Sequence, residues 1–367
     1  MFVFFIASFV PLAASGSAKY GPTGLFSTLS FSHCTTDPNL ASSLCSMANH
    51  SVTRHTWSSY ATAEKMLNLC FGELGKSISL PLSQPDLIIF IAWLGNRGIS
   101  ASTINSYLSG IRLVHLTKGL ETPILRSGLV NQLLAGKKNL DFGTINSKPV
   151  RVPVTPTILR LLKLAISKDD ITRHDARLFW LLCTLSFHGS FRMGELLSKS
   201  PNNFEPKFTF LNSDICTSST NIDGKPVKFL VISLKSTKTS LTSETLLDVF
   251  PTNNDLCPLR AFFKWENYGT ANPVMPVFRK SSGKLITQRE FNCLLKKWLG
   301  DCLDFSKTSV SGHSFRAGIP SILSSLGFPD EDLMAVGRWS SRAFLCYTKL
   351  PRTNRMAMAK ALGNLNL

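Results

Sequence analysis

Within the last 55 residues of this 367-residue chain stand His313-Ser314-Phe315-Arg316, Gly337-Arg338-Trp339 and a lone Tyr347. Together they offer the groups that handle a phosphodiester: two guanidiniums, an imidazole, an indole N–H and a phenol. His313 and Arg316 are three apart, the spacing that brings two side chains onto one helix face. A guanidinium fork matches the non-bridging oxygens of a phosphate. Tyrosine is an uncommon nucleophile, yet it forms covalent intermediates. Taken singly, these residues read as a basic helix end and a core aromatic. Taken as a group, they point to phosphoryl chemistry.

Two upstream stretches add to the set. In Gly189-Ser190-Phe191-Arg192-Met193-Gly194-Glu195, Arg192 and Glu195 are again three apart, so the carboxylate can orient the guanidinium. Further on, Leu230-Val231-Ile232-Ser233-Leu234-Lys235-Ser236-Thr237-Lys238 ends an apolar run in two lysines. A lysine at a hairpin tip reaches into a groove as a general acid or phosphate clamp, although most such lysines are simply solvated.

The charge balance agrees with a polyanionic partner. Lys and Arg number 40 against 23 acids, a net charge of +17. Of these, 29 basic and 17 acidic residues fall in 151–367, the part that holds the motifs. Nucleic acid is the commonest polyanion met by such a surface. The nine cysteines form no CxxC pair, and the seven histidines form no HExxH. This predicts reduced cysteines and no metal site. No Walker loop or dinucleotide fingerprint occurs, so no cofactor is expected. Residues 1–18 are apolar and end in small residues, as a secretory signal does. They lack a basic start, contain Pro11 and are too short to span a membrane. This leader is expected not to function, and no membrane association is expected.

The elements that must position these residues divide the chain. Residues 1–54 read as a disordered or leader-like segment. Residues 55–140 read as an all-helical module. Its helices are marked by Trp57, Tyr60, Met66, Leu67, Cys70 and Phe71, by the Ser83-Gln84-Pro85-Asp86 cap before Leu87, and by Ile104, Tyr107, Leu108, Ile111, Val114 and His115 on one face. Ser102 or Thr103 is read as opening the last of these. Residues 141–154 form a basic, proline-punctuated linker with Lys148 and Arg151, preceded by Lys137-Lys138. Residues 155–367 form a second domain. Helices are predicted at 156–168, 173–189, 258–268, 287–300, 314–326 and 330–336, with a last one carrying Tyr347. A small sheet is predicted from strands at 208–211, 229–234 and 246–250, with Asp223-Gly224 as its turn.

In this order the motifs resemble those of the tyrosine recombinase, or phage-integrase, family. Arg192 with Glu195, Cys257-Pro258-Leu259, His313-Ser-Phe-Arg316, Gly337-Arg-Trp339 and Tyr347 carry the resemblance. It runs from about Thr56 to Pro351 and is nearest in flavour to eukaryotic mobile-element recombinases of the Crypton, DIRS and Ngaro groups. Residues 56–118 are similar to the SAM-like core-binding module. The resemblance implies a mainly α fold with a small antiparallel sheet, that module preceding a mixed α+β catalytic domain.

It also implies roles. Tyr347 attacks the scissile phosphate and forms a 3′-phosphotyrosine. Arg192 and Arg316 bind the non-bridging oxygens, His313 assists proton transfer and Trp339 donates its indole N–H. Lys238, or alternatively Lys235, protonates the leaving 5′-oxygen. Glu195 supports Arg192. Arg112, Lys137, Lys138, Lys148, Arg151 and Arg338 are the expected DNA-binding residues. The implied partner is double-stranded DNA bound by a homotetramer on two synapsed sites, in the nucleus.

Some features depart from the pattern. Trp339 and Tyr347 are eight apart, one fewer than in many bacterial members. Pro320 follows Arg316 by four residues, where a helix is needed; a proline there costs about 3 kcal/mol or more unless the helix kinks or ends. Two other readings use the same residues: a decayed or domesticated DNA-binding protein, and a type IB topoisomerase-like nicking–closing enzyme. The intact residue set favours an active enzyme over the first. The preceding helical module favours a recombinase over the second.

Overall fold

The computed structural model describes residues 31, 33–122, 125, 127–144, 149–235, 244–266, 272–305, 307–339, 341 and 344–345. Three expected site residues, Tyr347, Lys238 and Lys148, lie outside the described residues. So do the leader-like stretch and the last helix expected to carry Tyr347. The chain divides into two compact units, residues 1–146 and 147–367. It is mainly helical with one small antiparallel sheet, as the motifs implied.

The first unit holds α1 (Pro38–His50), α2 (Arg54–Glu73), α3 (Gln84–Asn96), α4 (Ala101–Thr117) and α5 (Gly128–Thr144). Each of the first four begins at a side chain that accepts orphan backbone N–H groups: Asp37, Thr53, Ser83 and Ser100. The cap of α4 is thus Ser100, not Ser102 or Thr103. The expected face of α4 is the buried one, from Ile104 to His115. It meets Tyr60, Ala63, Leu67, Cys70 and Phe71 of α2 and Leu87, Phe90, Ile91 and Leu94 of α3.

Helix α1 corrects one expectation. It lies in the segment expected to be disordered, with Asp37 as its cap and Pro38 in its first turn. It buries none of its residues, so no core pattern advertised it.

The second unit holds β1 (Val150–Arg151), α6 (Pro156–Lys168), α7 (Arg173–His188), α8 (Met193–Leu196), β2 (Ile215–Ile222), β3 (Lys225–Leu234), β4 (Thr245–Val249), α9 (Pro258–Glu266), α10 (Gln288–Leu299), β5 (Thr308–Ser309), α11 (Gly312–Ser325) and α12 (Asp330–Gly337). Helix α7 is the axis of its core: Leu178, Phe179 and the run from Leu181 to Phe187 are all buried. The sheet runs β2-β3-β4, antiparallel throughout.

Asp223 and Gly224 make the expected turn, both with positive φ (50° and 73°), as a two-residue hairpin requires. The strand before it is β2, not 208–211. β2 pairs Ile222 with Lys225 and Ile215 with Ile232. Its sequence is polar and most of its residues face solvent, so the apolar Phe208-Thr209-Phe210-Leu211 run drew the assignment instead.

Of the stretch expected as a linker, 141–144 and 149–154 are described, and they include regular structure. Helix α5 continues to Thr144. Then β1 pairs in parallel with β5, where Val150 N–H donates to Lys307 O (2.8 Å) and Val152 N–H to Ser309 O (3.0 Å). Val154 N–H donates to Ser314 O at 2.8 Å, inside the first turn of α11. Helix α11 runs on through Pro320 to Ser325, so the proline neither ends it nor unseats Arg316, which is buried.

Two predictions follow from this packing. A Cβ on Gly318 would sit 2.6 Å from the Val154 carbonyl oxygen and 2.8 Å from the Phe187 ring. Backbone cannot yield as a flexible side-chain end can, so Gly318→Ala should destabilise the second unit by about 1–3 kcal/mol, read as a lowered denaturation midpoint.

His115 is the other case. Its Nε2 accepts from Leu82 N–H (3.1 Å) and its Nδ1–H donates to Ile111 O (2.8 Å), an arrangement that needs the neutral ring. Burial holds its pKa below the usual histidine value. The unfolded chain takes up that proton near pH 6.5 and the fold resists it, so stability is full above about pH 6.5 and falls as pH drops below it. Thermal melts from pH 8 to 5 should show a shallower acid-side loss in His115→Gln than in the wild type.

Candidate active site

Helix α7 ends at Gly189, and the chain reverses through Ser190, whose φ of 47° is left-handed. A non-glycine residue there costs about 1–2 kcal/mol and persists only where its surroundings fix it. Ser190 is fully buried, and its carbonyl points at two guanidiniums. Arg316 Nη1 donates to it at 2.9 Å and Arg338 Nη2 at 3.1 Å.

Arg192 follows as the N-cap of α8. Glu195, in the first turn, takes the Arg192 backbone N–H on Oε2 (2.9 Å) and Arg192 Nη1 on Oε1 (2.8 Å). The expected pair is therefore both an ion pair and a helix cap. Arg338 Nη2 reaches the same Oε2 at 3.0 Å. The Glu195 side chain is 4% exposed, so this carboxylate is spent on holding arginines rather than on solvent.

Arg316 comes from the first turns of α11. That turn is set by Ser314 Oγ, which takes Ser311 N–H (3.1 Å), and by Asn292 Oδ1 on α10, which takes Gly312 N–H (3.0 Å). Gly312 is needed for close approach, since a Cβ there would lie 2.0 Å from Met193 Cγ beside Arg192. Arg316 Nη2 donates to Gly337 O, the last residue of α12. Its guanidinium lies 5.0 Å from the centre of the Trp339 ring. His313 is exposed one turn before Arg316 on the same helix. Beyond Trp339, Phe344 is fully buried and packs against the indole at 5.8 Å.

The structure thus brings Arg192, Glu195, Arg316, Arg338 and Trp339 together. Three guanidiniums are held by one carboxylate, Glu195, and by the Ser190 and Gly337 carbonyls, and with a single formal negative charge among these partners the cluster is positive and suited to an anion. Burial lowers the Arg338 pKa; Glu195 opposes that shift and Arg192 adds to it.

Other expected residues stand differently. Lys235 is tied to the Asp214 carboxylate at 3.0 Å, a carboxylate that also takes Leu211 N–H at 2.8 Å. Lys137 pairs with Asp141 at 2.5 Å within α5, and Asp141 in turn takes Ala101 N–H of α4 at 2.9 Å, so this lysine is engaged by the carboxylate that ties the two helices. Arg112 is half-buried with its Nε sealed from solvent. Lys138 and Arg151 are exposed.

Arg338 departs most from expectation. Expected at the surface as a DNA-binding residue, it caps α12 in the left-handed region (φ 52°) and turns inward. Its Nε and Nη1 are shut off from solvent, and its Nη2 is bonded to Glu195 and Ser190. The Ser190 carbonyl and the Asn292 amide were not foreseen. Backbone acceptors carry no sequence signal, and an asparagine in an amphipathic helix reads as an ordinary solvated residue.

The chain matches no protein-family model and no curated protein. It does match solved structures. The Tn1549 transposon integrase in complex with circular intermediate DNA aligns with a TM-score of 0.53 at 14% identity, covering 84% of this chain and 94% of that one. A lambda integrase fragment, bound as a dimer to a core site, aligns with 0.52 at 14% identity, covering 85% and 95%. Lambda integrase as a tetramer on a Holliday junction aligns with 0.50 at 13% identity, covering 81% and 75%. Such identities speak to architecture alone, and the architecture extends over both units: the chain has the tyrosine recombinase fold.

Proposed function

We propose that this protein is a DNA strand-breaking and rejoining enzyme of the tyrosine recombinase type, acting site-specifically for a mobile element. The observation that carries this reading is the convergence of Arg192 and Arg316, from distant parts of the chain, on the Ser190–Glu195 turn beside Trp339. A scissile phosphate held by the two guanidiniums has its charge countered as it becomes pentacoordinate. Fixed positive groups at the point where charge develops are the strongest lever on such a step.

The Tyr347 phenol then gives up its proton, with His313 assisting, and its oxygen forms a bond to phosphorus while the bond to the 5′-oxygen breaks and a lysine gives that oxygen a proton. Religation reverses the exchange with another 5′-hydroxyl. The phosphotyrosine keeps the bond energy, so no metal or nucleotide is required. Lys238 is the preferred proton donor, a preference supported by the ion pair that occupies Lys235 with Asp214. His313, exposed at the head of α11, assists proton transfer. Lys138 and Arg151 are exposed and suited to the DNA backbone. Double-stranded DNA is the partner, with the protein acting as a tetramer on two sites in the nucleus.

A suicide duplex drawn from the termini of the parent element tests this. Wild type should give a covalent protein–DNA adduct on a denaturing gel, and Tyr347→Phe none. Arg192→Ala and Arg316→Ala should each slow adduct formation by roughly 10²–10³-fold. If wild type gives no adduct yet binds the duplex, the protein is a DNA-binding protein without this activity.

A further inference from the structure

We infer that Arg338 is a positioning residue: it latches the segment carrying Trp339, and in sequence Tyr347, onto the two acceptors that hold Arg192 and Arg316. The inference rests on the recombinase reading above and adds to it a residue that touches no DNA.

The geometry is specific. Glu195 Oε2 accepts from Arg192 N–H and from Arg338 Nη2; the Ser190 carbonyl accepts from Arg316 Nη1 and from the same Arg338 Nη2. One nitrogen of Arg338 therefore bridges the anchors of both phosphate-binding arginines. Its guanidinium also lies 4.9 Å from the centre of the Phe191 ring, between Ser190 and Arg192 in the chain. The other two nitrogens, Nε and Nη1, are buried away from solvent.

Arg338 stands at the helix end from which Trp339 departs. The neighbouring Gly337 carbonyl is bonded to Arg316 Nη2, so consecutive residues of this turn grip the site at two points. A Cβ at Gly337 would lie 1.9 Å from the Trp339 ring, so the indole folds back over the same turn. Without Arg338 the Arg192–Glu195 pair can persist, but the exit of the chain toward the nucleophile loses one of its two holds.

A phosphate contact and a latch make different marks. With Arg338→Gln, affinity for uncleaved duplex and its salt dependence should stay within about two-fold of wild type, because no counterion-releasing contact is lost. The adduct rate at saturating DNA should fall roughly 10–100-fold, the scale of a misplacement near 1 Å. Arg338→Lys keeps a charged donor near Glu195 and the Ser190 carbonyl but not the planar group over Phe191, and should recover part of the rate; it also decides the matter if the Gln variant fails to fold. In a cycle with Glu195→Gln the double variant should be no slower than the worse single one.

A fall in affinity with a salt slope reduced by about one would make Arg338 a DNA contact and overturn the inference. Additive losses with Glu195→Gln would overturn it as well. If wild type forms no adduct, the recombinase reading fails by itself. The same cycle read by thermal unfolding then judges the latch: coupling supports it and additivity removes it.

Discussion

Two acceptors, the Ser190 carbonyl and the Glu195 carboxylate, hold guanidiniums drawn from positions 192, 316 and 338. Gathering three cations in a largely desolvated place is unfavourable without such partners. Stripping a buried ion of its partner typically costs about 3–5 kcal/mol. The rest of the second unit can be understood as the means of delivering these two acceptors and three donors to one place. The positive charge left over is the property that the proposed reaction would use.

The delivery is done by packing more than by loops. Helix α7 is buried on nearly all sides, so the turn that ends it cannot drift, and the left-handed Ser190 is held there by its surroundings. Helix α11 approaches that turn only because Gly312 leaves room for Met193 and Gly318 leaves room for the Val154 carbonyl. The same helix tolerates Pro320 in its interior, with Arg316 anchored by its side chain to Ser190 and Gly337. A proline withdraws one backbone hydrogen bond, while tertiary packing on both sides maintains the helix direction.

Much of this was legible in the sequence, and the exceptions share a cause. Capping residues, the apolar face of α4, the Asp223-Gly224 turn and the Arg192–Glu195 pair all depend on neighbours three or four residues away, which spacing reveals. The polar strand β2 has no pattern of its own; it exists because β3 offers it a partner. Helix α1 was missed because it buries nothing. The inward turn of Arg338 has no such signal, because a basic residue between Gly337 and Trp339 looks solvent-directed until the left-handed cap redirects it. Lys137 likewise looked like part of a basic run, and its carboxylate partner lies one helical turn on. Sequence discloses which charges are available, whereas folding determines which of them are already engaged.

The linker strand carries a mechanical consequence. β1 is joined to β5, and Val154 to the first turn of α11, in a stretch that begins only a few residues after the boundary between the units. A pull on β1 therefore does not act on a free strand. It loads a row of parallel backbone bonds whose far side is the polypeptide leading directly into Gly312 and Arg316. Within the second unit the strand acts as a tie rod, and strain entering through it is spent within a few residues of the Arg316 guanidinium.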